Sequence, residues 1–149
     1  MALTGIRGSY ANQELMMQCL RSPPALVIDC ANCANIHEYS AFFPEKSFHE
    51  VFVVPAESLY RFRDTLRMIP RIASKLGVKK IAITSFSHLF GFDDEIENNN
   101  VYEYCWRYIQ ELSKHFDVNI GVTEAQYKYA RKYCDKIQTT VNFKIMQSI

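Results

Sequence analysis

The sequence predicts a single α/β domain over residues 1–149, a three-layer sandwich with a mainly parallel central sheet. Short continuous apolar runs recur along it, such as ALVID (25–29) and the VFVV of EVFVVP (50–55). Runs of this kind mark strands buried on both faces. Longer stretches between them carry apolar residues at helical spacing. Strands alternating with helices, in a chain of 149 residues, suit one core in which helices cover both faces of a sheet.

Residues 13–21 (QELMMQCLR) read as a short helix with Leu15, Met16, Cys19 and Leu20 near one face, stopped by Ser22-Pro23-Pro24. ALVID is the first predicted strand. Residues 30–49 read as irregular, with room for one helical turn. EVFVVP (50–55) reads as a second buried strand. Over 57–77 the positions of Leu59, Phe62, Leu66, Ile69, Ile72, Ala73 and Leu76 predict a helix, kinked at Pro70 and capped by Gly77. KKIAITS (79–85) is a third strand, and HLFGFDDEIENNN a loop. A helix over 101–116, a strand over 118–123 and a helix over 124–136 follow. IQTTVNFKIM (137–146) alternates like a more exposed strand, open to running antiparallel at an edge.

With 48% apolar and 13% aromatic residues, the composition argues against disorder. A net charge of +1 gives no general attraction to nucleic acid or acidic membranes, so such contacts need a local patch. No apolar run approaches a bilayer span and the first residues lack a signal-peptide core, so no membrane partner is expected. Five cysteines, an odd number without an export signal, favour reduced thiols and an intracellular chain, cytoplasmic or nuclear.

GIRGSYANQE (5–14) begins like the phosphate loop G-x-x-x-x-G-K-[ST]. Gly5 opens the pattern and Gly8 and Ser9 follow, but Tyr10, Ala11 and Asn12 close it. Taken with ALVIDCAN, KKIAITSFSHLF and VNIGVTEAQ in this order, the chain resembles the ATPase core of the RecA/RadA recombinases and their KaiC-like relatives over roughly residues 4–123. TGIRGS and QELMMQCL resemble that family's phosphate loop and first helix. ALVIDCAN resembles its strand ending in I-D-x-E, KKIAITSFSHLF its Walker B segment, and VNIGVTEAQ its strand ending in T-N-Q. The resemblance implies a RecA-like form of the predicted sandwich.

By the same resemblance the catalytic positions are altered. Tyr10 stands in place of the second loop glycine, Ala11 of the phosphate-binding lysine, and Asn12 of the hydroxyl that holds magnesium. Thr84 replaces the Walker B aspartate, and Ala31 the glutamate that orients the attacking water. Thr123 matches, while Glu124 and Ala125 replace the Asn and Gln that would sense the γ-phosphate. Asp29 and Ser85 also match. Phosphoryl transfer depends on such positioning and electrostatic groups, and losing one typically costs orders of magnitude in rate. The expectation is a non-catalytic paralogue with no resident cofactor. It would serve as an accessory or scaffold subunit in DNA recombination or repair, in a homo- or hetero-oligomer with a RecA-like recombinase or paralogue. Backbone N–H groups at the helix start could still hold an anion, which keeps a nucleotide-sensing regulatory domain as an alternative.

Further constellations carry weaker signals. Cys30 and Cys33 have C-x-x-C spacing near His37 but lack further zinc ligands. They read as two half-buried thiols, with a thioredoxin-like pair, or an enzyme or sensor using Asp29 with both thiols, as the alternatives. His37, His49, His88 and His115 fall on separate segments, and DDEIE (93–97) reads as a solvated loop rather than a cation site. YKYARKY places Tyr127, Lys128, Arg131 and Lys132 together, and RFRDTLR places Arg61, Arg63 and Arg67. Basic groups beside aromatics suit nucleic-acid strands, but an ordinary amphipathic helix with Tyr127, Ala130 and Cys134 inward is the favoured reading. In the 101–116 helix, Trp106 is expected to be partly exposed.

Overall fold

The computed structural model describes residues 1–89 and 95–140. Six strands form one sheet: β1 (Leu3–Arg7), β2 (Ala25–Asp29), β3 (Val51–Pro55), β4 (Lys80–Ile83), β5 (Asp117–Val122) and β6 (Lys136–Thr139). Their order is β3-β2-β4-β5-β1-β6, and every pairing is parallel. Five helices connect them: α1 (Ala11–Arg21), α2 (Glu45–His49), α3 (Leu59–Leu76), α4 (Glu95–Leu112) and α5 (Tyr127–Tyr133), with short 3₁₀ turns at Ile36–Tyr39 and Glu124–Gln126.

The layers follow from apolar placement. The buried face of α1, with Leu15, Met16, Cys19 and Leu20, packs on one side of the sheet with Val27, Val51 and Ala82. On the other side α3 buries Phe62, Leu66 and Ile69, and α4 buries Cys105, Trp106 and Ile109, against Leu26, Ile28, Ile81 and Ile83. Alternate residues of a strand point to opposite faces, so β2 and β4 supply both cores and must be apolar throughout. Ser58 caps α3 by accepting the Arg61 N–H at 3.2 Å, and Gly77 ends it at φ 68°. Most side chains avoid that left-handed conformation. Pro70 lies inside α3.

Several expectations change. LTGIR is a strand, although Thr4 and Gly5 dilute its apolar signal; Gly5 lies in this strand rather than in the loop after it. EVFVVP is an edge strand, not one buried on both faces: Val53 and Pro55 are exposed. The last described strand is also at an edge, but parallel to β1 rather than antiparallel. The 30–49 segment holds both a 3₁₀ turn and α2. α4 starts before residue 101, at Glu95, and Trp106 within it is fully buried. Its ring lies 5.4 Å from Phe86 and nearly parallel to Tyr129 and Tyr133. That aromatic shell, drawn from α5 and the segment after β4, is what removes Trp106 from water. Residues 141–146 of the predicted strand and Asp93 and Asp94 of the acidic loop lie outside the described residues.

Candidate functional site

In open α/β sheets, ligands bind in crevices outside the carboxyl ends of the strands, where connections leave in opposite directions. Here β1 leads into α1 on one face while β5 leads into the Glu124–Gln126 turn and α5 on the other. Between these exits lies a cleft of about 400 Å3. Its walls come from Gly8 and Ser9 after β1, Ala11 and Asn12 at the start of α1, Ser85 after β4, and Thr123 and Glu124 after β5. Segments far apart in sequence thus converge on one cleft.

Gly8 has φ 119°, and a Cβ there would come within 2.5 Å of the Thr140 carbonyl oxygen. It is the glycine that this turn requires. Only Gly8, Ser9 and Tyr10 separate β1 from α1, so the turn is tighter than the five-residue spacing from Gly5 to Tyr10 suggests.

Asn12 is committed on both ends of its amide. Its Nδ2 donates to Ser85 Oγ at 3.0 Å, and its Oδ1 accepts the Ser85 N–H at 3.0 Å. The clamp joins α1 to the end of β4 across the floor of the cleft. A Cβ on Gly121 would overlap Asn12 Oδ1 and lie 3.1 Å from the Ser85 nitrogen. An isolated glycine inside a strand often marks such a close approach; Gly121 is the signal that sequence reading passed over. At the rim, Arg7 donates to both carboxylate oxygens of Glu124, at 3.0 and 3.1 Å, and its guanidinium lies 3.9 Å from the Tyr127 ring centroid. The hydrogen bonds from Arg7 hold the Glu124 carboxyl below its ordinary value. Thr123 and Gln126 form a capping box that starts the following turn, and Thr123 Oγ1 also donates to Ser87 at 3.0 Å.

A second polar cluster, at the ends of β2 and β4, joins Asp29 to the buried Thr84, and Asp29 also lines a cleft of about 400 Å3 with Cys30, Pro55, Ala56 and Glu57. The Asp29 Oδ1 accepts from the Thr84 hydroxyl at 3.2 Å and from the Cys33 N–H at 3.2 Å; Oδ2 accepts the Ala34 N–H at 3.0 Å. The Thr84 oxygen in turn accepts the N–H groups of Cys30 and Ala31, at 2.7 and 3.0 Å. Both side chains are spent on fastening the loop after β2. Ala31 contributes its backbone N–H here. Burial, and then the Asp29 charge, push the Cys33 thiol up to about 11 and the Cys30 thiol higher still. Thiolates are the reactive form, so the geometry offers this pair no nucleophilic activation. Among the described residues no group of three His, Cys, Asp or Glu is placed to hold a metal ion.

The two basic stretches do not meet. α4 packs between α3 and α5, and two helix spacings separate them by roughly 16–20 Å. Arg63 and Arg67 pair with Asp64, and Arg67 also donates to Tyr104 at 3.2 Å. Lys132 pairs with Glu103 at 2.7 Å, and Glu103 also accepts the Tyr133 hydroxyl. Lys128 and Arg131 lie against the rings of Tyr129 and Tyr127. Arg61 is exposed at the start of α3. Tyr127 and Tyr129 are half-buried and pack against the main core.

No family model matches the chain, and a search of curated proteins finds no significant match. Among the described residues no helix is long and apolar enough to cross a membrane.

Proposed function

We propose that this chain is a non-catalytic paralogue of the RecA/RadA family, acting as an accessory or scaffold subunit in DNA recombination or repair without hydrolysing ATP. The observation that carries the reading is the cleft at the ends of β1, β4 and β5. Three segments that resemble the family's phosphate loop, Walker B strand and sensor strand line one cavity. Within and beside it, the positions that would hold the phosphate, the metal and the attacking water carry Tyr10, Ala11, Asn12, Thr84 and Ala31. Asn12 and Thr84 are tied to neighbouring protein groups instead. Such a domain keeps the shape of an ATPase subunit and contributes surfaces rather than turnover.

A tagged pull-down from the source cells, with nuclease treatment and identification of the recovered proteins, tests this role. Recovery of a RecA-like ATPase after nuclease supports it. Recovery of partners only without nuclease shifts the role to direct DNA binding through the basic and tyrosine-rich helix α5. Absence of partners in both arms, or ATP turnover by the purified chain, overturns it.

A further inference from the structure

We infer that the free edge of β3 is a self-pairing surface, joining two copies of this chain through antiparallel β3 strands into one continuous sheet. The hydrogen-bond phase of the edge supports this. The Ala25 N–H donates to the Glu50 carbonyl, and the Ala56 N–H to the Asp29 carbonyl, both at 3.0 Å. In a parallel ladder a residue sends its N–H and C=O to the same side, and successive residues alternate. The even-numbered residues from Glu50 to Ala56 therefore bond to β2, while the main-chain groups of Val51, Val53 and Pro55 point away from the sheet. Among the described residues β3 pairs with β2 alone.

Edge strands are normally guarded by charge, by a bulge or by a covering element. VFVVP carries no charge, and its central Val53 is 38% exposed. Pro55 is the one guard: it offers the edge no N–H, so it ends pairing at that position without forbidding it earlier.

The second copy fits because the strand is its own complement. In an antiparallel register centred on Val53, each Val53 exchanges both main-chain bonds with its counterpart, and each Val51 N–H meets a Pro55 carbonyl. Val53 lies beside Val53 on one face. On the other, Phe52 lies opposite Val54 in both senses, an aromatic–β-branched pair of the stabilising kind. No like charges oppose each other within the strands. A two-fold axis requires this self-complementarity, in which the same patch serves both subunits. The inference does not rest on the recombination reading.

The test is the molar mass of the purified full chain by light scattering across a concentration series, with amide hydrogen exchange on the same samples. A dimer is expected, with slow exchange at Val51 and Val53 as well as at Phe52 and Val54. Val53→Lys, which sets a lysine against its own copy, should weaken the dimer roughly tenfold or more. It should make the Val51 amide and that of residue 53 exchange fast while Phe52 and Val54 stay protected by β2. Val53→Thr keeps the strand and its N–H and should stay dimeric. A monomeric wild type overturns the inference, whether its edge amides exchange fast or are protected by another part of the chain. So does a dimer that survives Val53→Lys.

Discussion

The two polar clusters at the carboxyl end of the sheet are built from the same kinds of group and each borders a cleft of about 400 Å3, yet they are tied together differently. At β2 and β4 the carboxylate of Asp29, the hydroxyl of Thr84 and four backbone N–H groups satisfy one another. At β1 and β5 the groups are tied in separate pairs, Asn12 with Ser85, Arg7 with Glu124 and Thr123 with Ser87, and about 400 Å3 stays open beside them. The first is a weld on the wall of a cleft of about 400 Å3 that Asp29 and Cys30 line with Pro55, Ala56 and Glu57; the second is a clamp across the floor of a cleft of equal size. Polar residues at the end of a parallel sheet thus do not by themselves mark a ligand site. What separates the two cases is how many groups each cluster ties into one network, not whether space lies beside it.

The sharpest way to break this contrast is Asp29→Ala. It strands the Thr84 hydroxyl and the N–H groups of Cys33 and Ala34, and should cost about 2–4 kcal/mol of stability in denaturant unfolding. The fluorescence of Trp106, the single tryptophan, reports that transition. Gly121→Ala attacks the clamp from beneath. Its Cβ displaces Asn12, and a loss of about 1–3 kcal/mol is expected in the same measurement. Asn12→Ala removes the clamp without overpacking and should cost about 1 kcal/mol. If Asn12→Ala instead equals Asp29→Ala, the cleft is as welded as its neighbour and the contrast fails.

Two smaller effects set the scale. Hydrogen bonds from Lys132 and Tyr133 hold the Glu103 carboxyl below its ordinary 4.5. That contribution is complete above about pH 4.5 and is lost as pH falls through the lower folded value. Glu103→Gln should therefore flatten the acid limb of a melting-temperature profile below pH 4.5, and only slightly, because the pair is exposed. Within the weld, a Cys33 thiol at about 11 rather than 9.0 carries roughly a hundredfold less thiolate at neutral pH. Its alkylation by iodoacetamide should be correspondingly slow in the wild type.

Much of this fold was legible because β2 and β4 are buried on both faces and carry unbroken apolar runs, ALVI and IAI. β1 is buried too, but Thr4 and Gly5 interrupt its run, and Gly5 is there to make room for Val122 and Cys134. β3 misled for the opposite reason: VFVV is apolar enough for a centre, and only the strand order makes it an edge. In the cleft, the segments could be named in advance, while the Asn12–Ser85 clamp could not. Its partners are 73 residues apart, and no local pattern announces a contact of that range. Trp106 fails similarly, since its burial depends on rings from α5 and the end of β4 as much as on its own helix.

β1 has a further consequence, in time rather than in space. It lies between β5 and β6, and the Leu3 N–H donates to Asp135 while the Arg7 carbonyl accepts from Thr140. On a ribosome, β1 is made before both of its partners, and more than a hundred further residues must emerge before β5 can pair with it. Throughout that interval β2, β3 and β4 can already pair, whereas Leu3–Arg7 stays an unpaired hydrophobic segment. Non-local pairing of this kind folds slowly and leaves such segments open to misassociation. The cleft, whose first wall hangs from β1, therefore cannot form until β5 has emerged.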